Sequence, residues 1–205
     1  MRKRRDQILD EATRLFAERG YDGTSMSDLA ASVGLRKASL FHHFASKEEL
    51  KSAVLDRLVR EVGGAIMTAA AADARFEERL DALTDAIVDT LVSRPFAARL
   101  VVREAMDWSK SRPSGAHEVF DMVFIVLTAA ANFVEAGQGE GVFVPGDAKQ
   151  IILTLLGAHF LPFAVIGVVQ EVVGESPFSA DFGEKRKVAL RAHARGMLLV
   201  NKAIR

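Results

Sequence analysis

The 205-residue sequence contains no cysteine. That excludes disulfides, thiolate catalysis and thiolate metal sites, and it agrees with a reducing cytoplasm. Proline is scarce, with five residues in all; Pro95, Pro113 and Pro145 fall between helical stretches, where they act as breaks. Strand-like patterning shrinks to Val142–Val144, and neither internal repeats nor low-complexity tracts occur. No apolar run follows the basic first residues, so no secretory signal is expected. The glycine run from Gly137 to Gly141 lacks both dinucleotide-fingerprint spacing and a preceding strand, which argues against a phosphate loop.

Net charge is missing only in the sum. Lysine and arginine number 27, as do aspartate and glutamate, yet residues 1–60 carry +3, residues 61–183 carry −9 and residues 184–205 carry +6. Such asymmetry suits an anionic partner for the two ends, although solvated helix faces produce similar patterns. With 49% hydrophobic and 26% charged residues, the chain has the composition of a globular protein with a proper core.

What remains is helix. Ile8, Leu9, Ala12, Leu15 and Phe16 recur at helical spacing, and Gly20 suits a left-handed cap. Ser25 and Asp28 form an N-terminal capping pair for a short helix closed at Gly34. A second short piece runs from Ser39 to Phe44, and "SKEE" from Ser46 opens a long amphipathic helix with a weak point at Gly63-Gly64. Further helices are expected over about 76–92, 96–109, 116–136, 148–173 and 184–204. Ile151–Val169 is a 19-residue run without Asp, Glu, Lys or Arg, long enough for a membrane span. His159 and Pro162 inside it, and the lack of basic or aromatic flanks, favour the centre of a helical bundle instead.

Residues 25–44 carry the function. Two short helices meet at Gly34-Leu35, with small Ala30 where a crossing helix approaches and Leu40 on the buried side of the second. This is the arithmetic of a helix-turn-helix, whose second helix enters the major groove of DNA. The run from Ile8 to Leu55 resembles the DNA-binding domain of the TetR family of bacterial transcriptional regulators. The likeness rests on "A..LF...G" at Ala12–Gly20, "T...DLA..VGL" at Thr24–Leu35 and "LFHHF.SKEEL" at Leu40–Leu50. The resemblance implies an all-α protein: a three-helix DNA-binding domain over residues 1–50, then a helical effector-binding and dimerisation domain over 51–205.

The residues assign themselves to roles on that basis. Arg36 and Lys37, at the start of the recognition helix, are expected to meet phosphates or guanine edges, with Ser39 beside them and Ser25 and Ser27 on the preceding helix. The family often places a capping hydroxyl where Arg36 stands, and a phosphate-binding tyrosine where Phe41 stands, so neither contribution carries over. Phe41 is left to aromatic packing or a thymine methyl. Adjacent His42 and His43 diverge by about 100° on a helix and lack a third ligand, which speaks against a metal; His43 is the better phosphate contact. Lys47 adds charge at a helix N-terminus. The basic run Arg2–Arg5 reads either as a groove-binding arm or as an unengaged terminus.

In the second half, Gly157, Leu161, Val165 and Val168 on one helix and Ala189, Ala192, Gly196 and Val200 on another suit a two-fold four-helix interface, the alternative being core within one subunit. Arg103, Glu104, Trp108, His117, Phe120, Phe124, Asn132, His159 and Phe163 mix polar with aromatic character, as ligand chambers and ordinary cores both do. The expected protein is a cytoplasmic homodimer that binds double-stranded DNA and is released by a small apolar or amphipathic effector. No cofactor, metal, membrane or enzymatic activity is expected. The alternatives are a membrane-associated helical protein and a helical enzyme using His117 or His159 as base.

Overall fold

A computed structural model describes residues 2–106 and 117–200. Ten helices occur among them: α1 (Arg2–Arg19), α2 (Met26–Ser32), α3 (Lys37–Phe41), α4 (Lys47–Ala70), α5 (Phe76–Ser93), α6 (Ala97–Met106), α7 (His117–Gly139), α8 (Ala148–Ala164), α9 (Ile166–Val173) and α10 (Ala180–Leu198). The expected all-α architecture is observed, and its one departure is a single bridge between Phe143 and Leu199, where Val142–Val144 lies beside the end of α10.

Three apolar clusters hold the helices. The first joins Ile8, Leu15 and Phe16 of α1 to Leu29, Leu40, Phe44, Leu50 and Leu58, and it also takes in Ala97 and Leu100 of α6. The second gathers Leu80, Phe133, Val134, Phe143 and Leu198, and the third Val88, Leu91, Phe160, Phe163, Phe182 and Leu190. Phe96, at the α5–α6 corner, has φ of +75°. That is an uncommon conformation for a bulky residue, and it lets the side chain pack on the first cluster while its ring meets Phe178 beside the third.

Several expected boundaries shift, each for a physical reason. Helix α4 runs through Gly63-Gly64 unbroken; a Cβ on Gly63 would stand 2.6 Å from a Val126 methyl, so the glycine admits α7 rather than ending α4. Helix α7 continues to Gly139 because the Phe143 ring packs onto Gly137, where a Cβ would lie 2.2 Å away. The helix expected over 148–173 is two, α8 and α9, bent by 82° at Val165. Pro162 denies the Ala158 carbonyl its helical donor, and the Arg186 guanidinium of α10 donates to that oxygen instead. The last helix starts earlier than expected, where the Ser179 hydroxyl accepts from the Phe182 amide, and it ends at Leu198.

The bend divides the long apolar run. Among the described residues no single helix is long and apolar enough to cross a membrane, and α8 with α9 meets that test only as a sharply bent pair.

Candidate nucleic-acid interface

Helix α2 begins with a complete capping box. The Ser25 hydroxyl accepts from the Asp28 amide at 3.1 Å, and the Asp28 carboxylate accepts from the Ser25 amide and hydroxyl. Those bonds, the hydroxyl's first, hold the Asp28 carboxyl below its ordinary pKa. Gly34 then turns the chain at φ +66°, and the Leu35 amide donates to the Ala30 carbonyl at 2.7 Å. The turn needs a left-handed residue, and glycine supplies it without strain. Ala30 is buried, so the two helices meet at close range.

Helix α3 is held from one side only. Leu40 and, just beyond the helix, Phe44 are fully buried, whereas Arg36, Lys37, Phe41 and His42 are exposed and Ser39 and His43 half-buried. Arg36 occupies the N-cap without a side-chain bond to the helix, so its guanidinium is not spent on capping. Ser27 is exposed one turn into α2, while Ser25 serves that helix as its cap. His42 and His43 join no group that would hold a metal among the described residues.

Two basic features differ from expectation. Arg2–Arg5 is the first turn of α1, neither a free arm nor an unengaged end. Arg4 donates to the Val33 carbonyl at 2.8 Å, and the Arg5 guanidinium lies 4.7 Å from the Phe44 ring centre, so both fasten α1 to the helix-turn-helix. The Lys47 ammonium donates to the carbonyls of Tyr21 and Thr24 at 2.8 and 3.0 Å and sits over the Tyr21 ring. It braces the α1–α2 turn from below, and one of its three N–H groups is left.

A profile of the family described as bacterial regulatory proteins, tetR family, matches residues 8–54. The match is confined to the segment that carries the helix-turn-helix. Over 46 residues the tetR-family segment is 50% identical to the biofilm operon icaADBC HTH-type negative transcriptional regulator IcaR of Staphylococcus epidermidis. It is 52% identical to IcaR of Staphylococcus aureus strain Newman. Each match covers 22% of this chain and 25% of the relative, so the chain aligns with about a quarter of the length of the curated relatives.

The fold likeness reaches further than the sequence likeness. The ketosteroid transcriptional regulator KstR2 of Mycobacterium tuberculosis superposes with a TM-score of 0.80 at 22% identity, over 97% of this chain and 96% of that one. AibR, solved in complex with isovaleryl coenzyme A and operator DNA, gives 0.74 at 21% identity, over 93% and 97%. A transcriptional regulator from Saccharomonospora viridis in complex with choline gives 0.64 at 22% identity, over 98% and 100%. At these identities the likeness is one of fold.

The helix-turn-helix unit is tied to the rest of the chain through α6. Arg103 turns toward α1, donating to the Ala17 carbonyl at 3.4 Å; a Cβ on Gly20 would lie 2.9 Å from its guanidinium. Glu104 pairs with Lys51 at 2.7 Å. Lys51 also lies over Tyr21, whose hydroxyl donates to Glu48 at 2.5 Å. Burial, followed by the Glu48 carboxylate, pushes the Tyr21 hydroxyl well above its ordinary pKa, so it stays a donor. Arg103 and Glu104, offered by the sequence as chamber residues, therefore sit at the seam between the two parts.

Inside the body, α4, α5, α7 and α8, with Leu198 of α10, line a partly open apolar cavity of about 80 Å³, whose walls include Ile66, Leu83, Thr84, Ile87, Leu127, Phe133, Leu155 and His159. Of the residues singled out for a chamber, His159 lines it. Phe163 is buried in the neighbouring aromatic cluster beside Phe178 and Phe182, whereas Phe124 and Asn132 on α7 are exposed. Trp108 and the side chains of His117 and Phe120 lie outside the described residues. The cavity itself carries no sequence signal beyond helix-spaced apolar residues, since it arises from how four helices cross.

Helices α8, α9 and α10 keep apolar side chains outward, and the four residues expected on one helix, Gly157, Leu161, Val165 and Val168, are divided by the bend between α8 and α9. Leu161 on α8 and Val168 on α9 are 56% and 62% exposed, and Val165 between those helices, Ala192 on α10 and Val200 just beyond it are exposed too. Nothing stands within 4 Å of a Cβ built on Gly157 or Gly196. Ala189 is half-buried. Leu153, Val172 and Val188, which the sequence reading did not single out, extend the same exposure.

Proposed function

We propose that the chain is a sequence-specific DNA-binding transcriptional regulator, a repressor that grips a palindromic operator as a homodimer and lets go when a small ligand enters its body. Residues 1–50 read DNA in the bacterial cytoplasm, and residues 51–205 bind the effector and the second copy. One observation carries this reading: α3 offers Arg36, Lys37, Phe41 and His42 to solvent from a helix anchored on its other side by wholly buried Leu40 and Phe44. A five-residue helix that, with its two caps, exposes two cations and two aromatic rings gains little for its own fold. It suits a major groove, where cations meet phosphates and base edges.

The roles then divide by geometry. Arg36 and Lys37 make the first contacts; Ser39 and His43 follow from the half-buried flank, and Ser27 from its exposed place on α2. Ser25 and Lys47 position the unit, Lys47 keeping one N–H for a phosphate. Duplication supplies the rest: the outward apolar face of α8 and α10 is of the kind that homodimers bury, and two half-sites multiply the contacts of one small helix. The IcaR relatives are negative transcriptional regulators, and structural neighbours were solved with operator DNA, an acyl coenzyme A and choline, which supports a regulator in preference to an enzyme or a membrane protein. Release follows from the seam at α6: a ligand favouring one helix arrangement shifts the spacing of the two recognition helices.

Selection of bound duplexes from random DNA tests the proposal. The expected product is an inverted repeat whose half-site centres lie about one helical turn apart or a multiple of it. Enrichment of no sequence, or of a single unrepeated site, contradicts it.

A further inference from the structure

Helix α6 lies along α1 with a polar fastening at each end. Near its far end, Arg103 reaches the Ala17 carbonyl and Glu104 reaches Lys51. Ahead of its first residue, Arg94 reaches Asp10 of α1 at 3.5 Å through Nη1 and Glu61 of α4 at 2.7 Å through Nη2. Asp10 and Ala17 are two turns apart on α1 and follow the order of Arg94 and Arg103, so the two helices run in the same direction. Between the fastenings α6 adds Ala97 and Leu100 to the first apolar cluster. Apolar contact is non-directional, whereas hydrogen-bonded pairs hold a direction. The fastenings therefore set the angle between the two helices.

The front fastening has a second arrangement available. Asp10 also pairs with Arg57 of α4 at 2.8 Å. Arg57 and Glu61 stand four residues apart on α4, the spacing at which helix side chains meet, yet none of the ion pairs among the described residues joins them. Each keeps one buried atom without a hydrogen-bond partner among the described residues: a donor, Nε of Arg57, and an acceptor, Oε2 of Glu61. Turned toward each other, those side chains would satisfy both atoms and leave Arg94 with Asp10 alone. Two ion pairs exist before that exchange and two after it, so the charges alone favour neither arrangement strongly.

The backbone at this corner is strained as well. Phe96, two residues after Arg94, has φ of +75°, a conformation that costs a bulky residue free energy and that a relaxed corner would shed. An open cleft of about 600 Å³, bounded by Asp10, Arg57, Arg94 and Phe96, leaves room for the corner to move.

We propose that Arg94 is a positioning residue: as a catch between α1 and α4 it fixes the angle at which the helix-turn-helix unit is held, and it lets go when Glu61 exchanges to Arg57. The proposal rests on the regulator reading only for its consequence on DNA.

Because the chain has no cysteine, two can be introduced at chosen places, Ala31 on α2 and Asn132 on α7, both exposed. Spin labels there, in full-length chain diluted with unlabelled chain, report the distance from the helix-turn-helix unit to the body by pulsed dipolar EPR. The wild type should give one narrow distribution. Arg94→Gln and, independently, Glu61→Gln should shift it or add a second one several ångström away. Arg195→Gln, which removes an ion pair between α5 and α10, should leave it in place. In Arg94→Gln the Nε–H resonance of Arg57 should move as Glu61 turns to it. Denaturant midpoints should stay near the wild type, since partly exposed pairs contribute little to stability. An unchanged distance in both variants, a stationary Arg57 resonance, or loss of the fold in Arg94→Gln would each overturn the proposal.

Operator duplexes whose half-site spacing is varied base pair by base pair separate the two levels. The wild type should favour one spacing, and Arg94→Gln should weaken that preference by roughly fivefold with the salt slope unchanged, because no phosphate contact is lost. A shifted distance with the spacing preference intact would overturn the positioning role. If neither protein binds any duplex, the regulator reading falls and the distance measurement alone decides the catch.

Discussion

Phe41 is 41% exposed on the face of α3 that also carries Arg36 and Lys37. An exposed ring there has no hydroxyl for a phosphate, and its remaining use on DNA is apolar contact with a thymine methyl. Replacing the contacted thymine of the selected operator with deoxyuridine deletes that methyl alone. The expected loss for the wild type is about fourfold, the value of one buried methyl group, and Phe41→Ala should be indifferent to the change. Equal sensitivity of both proteins contradicts the contact.

His159 gives a second prediction at the same scale. Burial depresses its pKa in the folded protein below the ordinary 6.5. The unfolded chain therefore takes up the proton first as pH falls, so the stability associated with the neutral ring is whole above about pH 6.5 and drains away below it. Denaturant midpoints of the wild type should fall more steeply between pH 7 and the acid range than those of His159→Leu. Parallel curves would mean that the ring is protonated equally well in both states.

At the scale of elements, α5 and α10 are joined by three ion pairs in antiparallel order. Asp81 meets Arg195 at 2.5 Å, Asp85 meets Arg191 at 2.8 Å and Asp89 meets Lys187 at 3.0 Å. The four-residue spacing on both helices puts each ladder on one face. Reversing Asp85 to Arg or Arg191 to Asp should destabilise the protein by about 1–2 kcal/mol each, and the double reversal should recover about 0.5–1 kcal/mol as coupling. Strict additivity in that cycle would show the pair to be incidental.

The elements also show what a sequence can and cannot disclose. The capping box at Ser25, the turn at Gly34 and the buried Leu40 were legible because each depends on neighbours a few residues away. Pro162 was legible as a disturbance, but the place of the break was not: the chain leaves the helix three residues later, and the carbonyl it frees is met by Arg186 from another helix. Arg103 looked like a chamber residue because its partner, the Ala17 carbonyl, is 86 positions away. The cavity beside His159 was equally hidden. Its walls are ordinary apolar helix faces until four helices cross.

For the whole molecule, the parts describe a lever with a reading head. The first apolar cluster runs from α1 through the recognition unit into α4 and α6, and Phe96 links it to the aromatic cluster of the body. A change of spacing around the cavity therefore has packed side chains along which to reach α1. In the proposed homodimer the outward apolar faces of α8 and α10 pair two such molecules, and a modest rotation of each domain then misaligns two recognition helices at once.

The salt dependence of operator binding tests the central claim most directly, because each phosphate contact releases counterions in proportion. With the selected palindrome and two chains bound per duplex, Lys37→Ala should lower the slope of log affinity against log salt by about one unit per subunit, about two per dimer. A slope and affinity identical to those of the wild type, with Arg36→Ala equally silent, would mean that α3 does not lie on DNA.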